Sequence, residues 1–142
     1  MLAKKRATLY FYSKSSFLSN FYPAGFRVGG KRYATVEHYF QSMKTTDKVR
    51  SEEIRLARTP FLAKRMGRYV LLRPDWRITK EQVMYEALRL KFANPLMRAA
   101  LLRTDGCKLV EDSPDDFYWG GRDNGRNRLG ALLMRLRKEL QK

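Results

Sequence analysis

After Thr35 the chain is punctuated by helix start and stop signals, and these confine strands to the N-terminal third and one short interval near residue 108. Thr35 is a good N-cap for a helix from Val36 to about Lys44. A second helix is expected over roughly Lys48 to Ala57. Thr59-Pro60 reads as N-cap and first position of a third, with Gly67 as its stop. A longer helix from about Thr79 to Phe92 carries Val83, Met84, Ala87, Leu88 and Leu90 as a broad apolar stripe. Asn94-Pro95 breaks it, and Pro95 opens another helix through about Leu102. The last runs from Arg128 to Leu140, with Leu129, Leu132, Leu133, Leu136 and Leu140 on one face. Strand candidates are Thr8–Tyr12, Lys108–Val110, and Phe26–Val28 with Arg32–Ala34 flanking a tight turn at Gly29-Gly30-Lys31. The expected fold class is α+β, mainly helical, with short N-terminal strands. No repeat or linker-like stretch divides the chain, so residues 1–142 are expected to form one compact domain.

With 142 residues, such a domain is of ordinary size. Hydrophobic residues make up 44% and charged residues 31%, a balance that excludes wholesale disorder. No apolar run approaches the ~18 residues of a membrane span. The segment after Lys4, Lys5 and Arg6 is too short and too aromatic for a signal peptide. Cys107, the only cysteine, reads as a small buried residue, and its isolation excludes an intramolecular disulfide. His38 is the only histidine, which excludes paired-histidine zinc sites. It reads as a structural helix residue. A cytoplasmic location, no membrane contact, no metal and no cofactor are the expectations.

Thirty Lys and Arg against fourteen Asp and Glu give a net charge of +16, a field that attracts nucleic acid, nucleotides or phosphorylated metabolites. Six of the fourteen acids fall between Asp105 and Asp123. This acidic island is either a solvated loop or a place where carboxylates act on a substrate drawn in by its phosphates.

Three segments contain the residue types that such chemistry needs. In Thr35–Lys44, Glu37, Gln41 and Lys44 follow one another at i, i+4 and i+7 and share a helix face. Glu37 lies in the first turn, where the helix dipole favours a negative charge. The stripe is either solvated or a carboxylate–amide–amine array. In Glu111–Gly121, carboxylates adjoin aromatics and a glycine pair. Tyr118 and Trp119 can stack on a base or a ribose, and Gly120 and Gly121 permit close backbone approach. The rival reading is a surface turn anchored by Trp119. In Asp123–Gly130, backbone amides at the start of the last helix, with Arg126 and Arg128, can bind phosphate. The Gly-Lys-Ser/Thr ending of a P-loop is missing.

Taken together, Phe17-Leu18-Ser19-Asn20-Phe21-Tyr22-Pro23, Glu37-His38-Tyr39-Phe40-Gln41, Ala63–Arg68, Lys80–Met84, Trp119-Gly120 and Arg126–Gly130 resemble the NADAR, or YbiA-like, family. The resemblance runs in order from Tyr10 to Leu140. It implies a YbiA-like domain and an N-glycosidase that hydrolyses the bond between a ribose carbon and an exocyclic amine. Two substrate classes follow from it. One is ADP-ribose on the amino group of guanine, in DNA or a nucleotide, with an ADP-ribosyltransferase toxin as the partner. The other is the phosphorylated ribosylamino-pyrimidine intermediates of riboflavin synthesis. By the same resemblance Glu37, Asp116 and Lys44 are the catalytic candidates. Asn20, Phe21, Gln41, Trp119, Gly120, Arg126 and Asn127 are the substrate-binding candidates. Gly125-Arg126 stands where the family usually has glycine–lysine, which keeps the charge and changes its geometry.

These residue types suit cleavage of a ribosyl C–N bond. Glu37 can activate water or move protons, and Asp116 can hold a ribose hydroxyl or stabilise positive charge at the sugar. Lys44 offers a second route, because a ring-opened ribosylamine is a Schiff base that an amine can attack. Both routes stay open. From another functional class, a non-catalytic module binding nucleic acid or ADP-ribose suits the +16 charge equally well, but does not need a helix carboxylate.

Overall fold

A computed structural model describes residues 7–142. The basic trio Lys4, Lys5 and Arg6 lies outside the described residues. The fold is α+β and dominated by helix, and the described chain forms two compact units: Asn20–Asn94, and Pro95–Lys142 together with the residues up to Ser19.

The unit Asn20–Asn94 opens with an antiparallel hairpin, β2 (Phe26–Val28) and β3 (Lys31–Tyr33), in which Phe26 faces Tyr33 and Val28 faces Lys31. Gly29 and Gly30 both have positive φ, 56° and 81°, the backbone that a two-residue primed turn requires. Four helices follow: α1 (Val36–Ser42), α2 (Lys48–Arg55), α3 (Pro60–Gly67) and α4 (Trp76–Phe92). The caps fall where the sequence puts them. Thr35 accepts from the His38 amide, and Thr59 accepts from the Leu62 amide with Pro60 in the first turn. α1 ends two residues sooner than expected, so Lys44 sits in the turn after it. α4 begins three residues sooner, at Trp76. Asp75 is its N-cap residue but makes no side-chain cap, because its carboxylate is held by the Arg73 guanidinium at 2.6 and 3.0 Å.

α1 is the hub of this unit and packs against α2, α3, α4 and β3. All seven of its residues are buried. A helix covered on every side ordinarily carries apolar residues all round. This one carries Glu37, His38, Gln41 and Ser42, so each polar group needs a partner.

In the other unit, β1 (Thr8–Phe11) pairs in parallel with β4 (Lys108–Glu111), Thr8 opposite Lys108 and Phe11 opposite Glu111. α5 (Pro95–Arg103) and α6 (Arg128–Leu140) complete it, and α6 packs on both β4 and α5. Leu129, Leu132, Leu133 and Leu136 are buried as the periodicity requires, and Arg137 among them donates to the carbonyl and hydroxyl oxygens of Thr104. A Cβ at Gly130 would meet the Leu109 carbonyl and the Asn127 amide, so this glycine sets how closely α6 approaches β4. Cys107 is half-buried rather than buried, because it lies in the bend between α5 and β4. No helix among the described residues is long and apolar enough to cross a membrane.

Candidate active site

In the unit Asn20–Asn94 the candidates gather on and beside α1. Glu37 is only 6% exposed and Gln41 only 4%, so the two are part of the interior and not a solvated stripe. Gln41 Nε2 donates to Glu37 Oε1 at 2.8 Å. The Glu37 amide in turn donates to the backbone carbonyl of Asn20 at 3.1 Å, which ties the Asn20–Phe21 segment to the start of the helix. The Asn20 side chain is buried too, with Nδ2 donating to Met84 Sδ at 3.5 Å.

The rest of α1 is satisfied internally. His38 Nδ1 lies 2.8 Å from Thr35 Oγ1, and Nε2 lies 2.9 Å from the Ala57 carbonyl. Burial lowers its pKa, so the ring is neutral and bridges α1 to the end of α2. It is a structural histidine, as its isolation in the sequence implies. Ser42 Oγ donates to the Tyr39 carbonyl at 2.8 Å. Two buried acceptors are left over: Asn20 Oδ1 and Gln41 Oε1 have no hydrogen-bond partner. An unsatisfied buried carbonyl costs about 1–3 kcal/mol, so each of the two has room for a hydrogen bond that the chain itself does not supply.

From the sequence, Gly67 is expected to be a helix stop. α3 does end there, but through an ordinary αR cap at Arg68, with no positive φ at the glycine. Its lack of a side chain serves Gln41 instead, since a Cβ at Gly67 would run into Gln41 Oε1. Lys44 is half-buried, with Nζ 5.7 Å from the Phe40 ring centroid, and its carbonyl accepts from the Arg73 amide at 2.7 Å. Phe21 meets Phe61 edge to face at 4.7 Å, with Lys64 Nζ 6.0 Å from its ring. Lys91, which is not among the sequence candidates, is 2% exposed on α4. Its Nζ lies 5.7 Å from the Tyr22 ring and 5.1 Å from the Phe92 ring, and burial lowers its pKa to about 7. Its burial has a signal in the sequence, because Lys91 continues the apolar spacing Met84, Leu88.

The remaining candidates belong to the other unit, in the loop from β4 to α6. Asp116 Oδ1 accepts from the amides of Tyr118 and Trp119 at 3.1 and 2.9 Å, which fixes the carboxylate against its own loop. The half-buried Trp119 ring meets Tyr118 edge to face at 4.9 Å. Gly120 is buried where a Cβ would strike the Asp116 carbonyl. Arg126 is exposed and lies over the Tyr118 ring at 5.7 Å.

Phosphate binding by the amides that lead into α6 is not available as expected. The amides of Arg126, Asn127, Arg128 and Leu129 donate to the carbonyls of Phe117, Gly120, Tyr118 and Trp119. The loop has folded back and filled the donors that a phosphate would need. Asn127 is likewise engaged. Its Oδ1 accepts from the Glu111 amide at 3.0 Å and its Nδ2 donates to the Leu109 carbonyl at 2.9 Å. Its side chain thus pairs with the backbone of β4 as an adjacent strand would.

The NADAR domain matches residues 10–141. Over 138 residues the chain is 48% identical to the N-glycosidase YbiA of Escherichia coli (strain K12), across 92% of this chain and 86% of that protein. It is 40% identical over 142 residues to a chloroplastic riboflavin biosynthesis protein of Zea mays, across 86% of this chain and 23% of that protein. The NMR structure of the E. coli protein YbiA superposes with a TM-score of 0.87 at 45% identity, covering 98% of this chain and 88% of that one.

Proposed function

This chain belongs to the NADAR family, and on that premise we propose that it is an N-glycosidase acting on a ribosyl C–N bond, with Glu37 as its acid–base group. The observation that carries the reading is the buried Glu37 carboxylate, held by Gln41 and accompanied by the two unpartnered carbonyls of Gln41 and Asn20. Ribose hydroxyls and an exocyclic amine are donors, and two desolvated carbonyl acceptors suit them. Departure of the amine leaves positive charge at the sugar carbon. A buried carboxylate can stabilise that charge and activate the attacking water. A module that only binds has no use for this carboxylate, which favours the enzyme.

Within that reading, ADP-ribose on the amino group of guanine is the first substrate class. The +16 charge supports it, because a small phosphorylated pyrimidine needs only a local basic pocket, whereas nucleic acid benefits from a broad basic surface. The alternative, a phosphorylated ribosylamino-pyrimidine of riboflavin synthesis, is favoured by the name of the Zea mays relative. Incubation with guanine-ADP-ribosylated DNA and, separately, with the riboflavin intermediates decides between them. Mass spectrometry should find free ADP-ribose in the first reaction and restored guanine in the DNA. Release of a ribose phosphate from the second substrate alone reverses the order. Release from neither removes the N-glycosidase reading.

A further inference from the structure

Between Glu53 and Glu81 the chain has eight basic residues and one acid, Asp75, which is held by Arg73. Arg58, Arg65, Arg68 and Arg77 are exposed, and among the described residues none of them makes an ion pair. Apolar side chains stand out in the same stretch: Tyr69 is 84% exposed, Leu71 88% and Ile78 86%. Neither feature helps the unit fold. Clustered like charges repel, and exposed aromatic and aliphatic groups gain nothing from solvent.

The same stretch adjoins the candidate site. Gly67 lies against Gln41, the Arg73 amide bonds the Lys44 carbonyl, and Phe61 meets Phe21. Unpaired guanidiniums interleaved with an exposed aromatic ring are what single-stranded nucleic acid requires. Phosphates take the cations, and an unpaired base offers a face for stacking. A duplex hides its base faces and would leave Tyr69 unused.

We propose that the end of α3, the connection to α4 and the first turn of α4 form a docking surface for single-stranded nucleic acid, with Arg65, Arg68 and Arg77 on phosphates and Tyr69 stacked on a base. The surface deepens the reading of a nucleic-acid-borne substrate and rests on it for its purpose. It holds the neighbours of the modified base on α3 and α4, two of the elements that pack against α1.

The test is binding of an unmodified fluorescent oligothymidylate across a salt series, with no turnover involved. Replacing Arg65, Arg68 and Arg77 together by alanine should weaken binding at least about tenfold and make the slope of log K against log salt shallower by about 2, three phosphates at roughly 0.7 each. Tyr69→Ala should weaken binding about tenfold with the slope unchanged, as loss of one stacked base does. All these positions are exposed, and circular dichroism should show the parent fold in both variants.

Unchanged affinity and slope in the triple variant overturn the proposal. So does a duplex, or heparin, that binds as tightly as the oligothymidylate and ignores Tyr69→Ala. Loss of binding in an Arg126 and Arg128 alanine variant, with the α3–α4 variants intact, places the contact elsewhere and also overturns it. Oligonucleotide binding as described, with neither modified substrate hydrolysed, leaves the surface standing and removes the N-glycosidase reading. Hydrolysis with no oligonucleotide binding does the reverse.

Discussion

Gln41 Nε2 donates to Glu37 Oε1 at 2.8 Å, one turn along a helix whose every residue is buried. The bond fixes the carboxylate rotamer and uses one face of the Gln41 amide, leaving its carbonyl without a donor. The pair is therefore rigid on one side and unsatisfied on the other, an arrangement that favours binding and chemistry over stability.

Glu37→Gln removes the ionisable group and keeps its size. The fold should persist and hydrolysis should fall by roughly 10²–10⁴, the range for lost acid–base assistance. Steady-state turnover on whichever modified substrate the parent hydrolyses gives the answer, and near-parent rates in a folded variant would sink the role.

Gly67→Ala is ordinarily a helix-stabilising change of about 0.5–1 kcal/mol. Here the new methyl group meets Gln41 Oε1, so the amide must swing away and release Glu37. Turnover should drop on the order of ten- to a hundredfold in a protein that still unfolds cooperatively. Turnover equal to the parent's would mean that the position of Gln41 is irrelevant to catalysis.

Lys44 tests the covalent route. If its amine attacks the ring-opened ribosylamine, a Lys44–sugar imine forms as the arylamine leaves, and water then releases the sugar. Borohydride added during turnover should fix that imine, and peptide mapping should place the adduct on Lys44. No adduct on any lysine, together with an active Lys44→Ala variant, assigns the reaction to direct hydrolysis.

Asn127 carries a structural prediction. Asn127→Ala removes two hydrogen bonds to β4 and puts alanine at a φ of 52°. The expected loss of stability is about 2–4 kcal/mol, read from urea denaturation. A raised KM with an unchanged urea midpoint would show instead that this amide contacts substrate.

Lys91 makes stability depend on pH. Burial brings its folded pKa to about 7, below the ordinary lysine value of 10.5. Between those values the unfolded chain holds a proton that the folded chain lacks, so stability rises with pH, at most by about 1.4 kcal/mol per pH unit. The penalty is complete below about pH 7 and absent above the unfolded value. Urea midpoints should increase from pH 7.5 to 9.5, and Lys91→Met should flatten the increase. A variant as pH-dependent as the parent would mean that Lys91 does not carry the effect.

Helices α1 to α6, the glycine turn of the hairpin, the caps at Thr35 and Thr59 and the leucine face of α6 are all legible in the sequence. Each rests on short-range rules: φ at glycine, amides seeking a cap, apolar residues every three or four positions. The sequence also singles out Glu37 and Gln41, because they share a helix face. That this face is buried is a matter of packing, since burial depends on α2, α3 and α4 closing over α1, which no local pattern encodes. The same holds for Gly67, which looks like a helix stop until Gln41 is seen against it, and for Asn127, whose amide meets β4 across a gap of sixteen residues. The amides before α6 pointed to phosphate in the sequence and turned out to be filled by the carbonyls of Phe117–Gly120. Long-range hydrogen bonds and close approaches are chosen by packing, and packing is set by the whole chain at once.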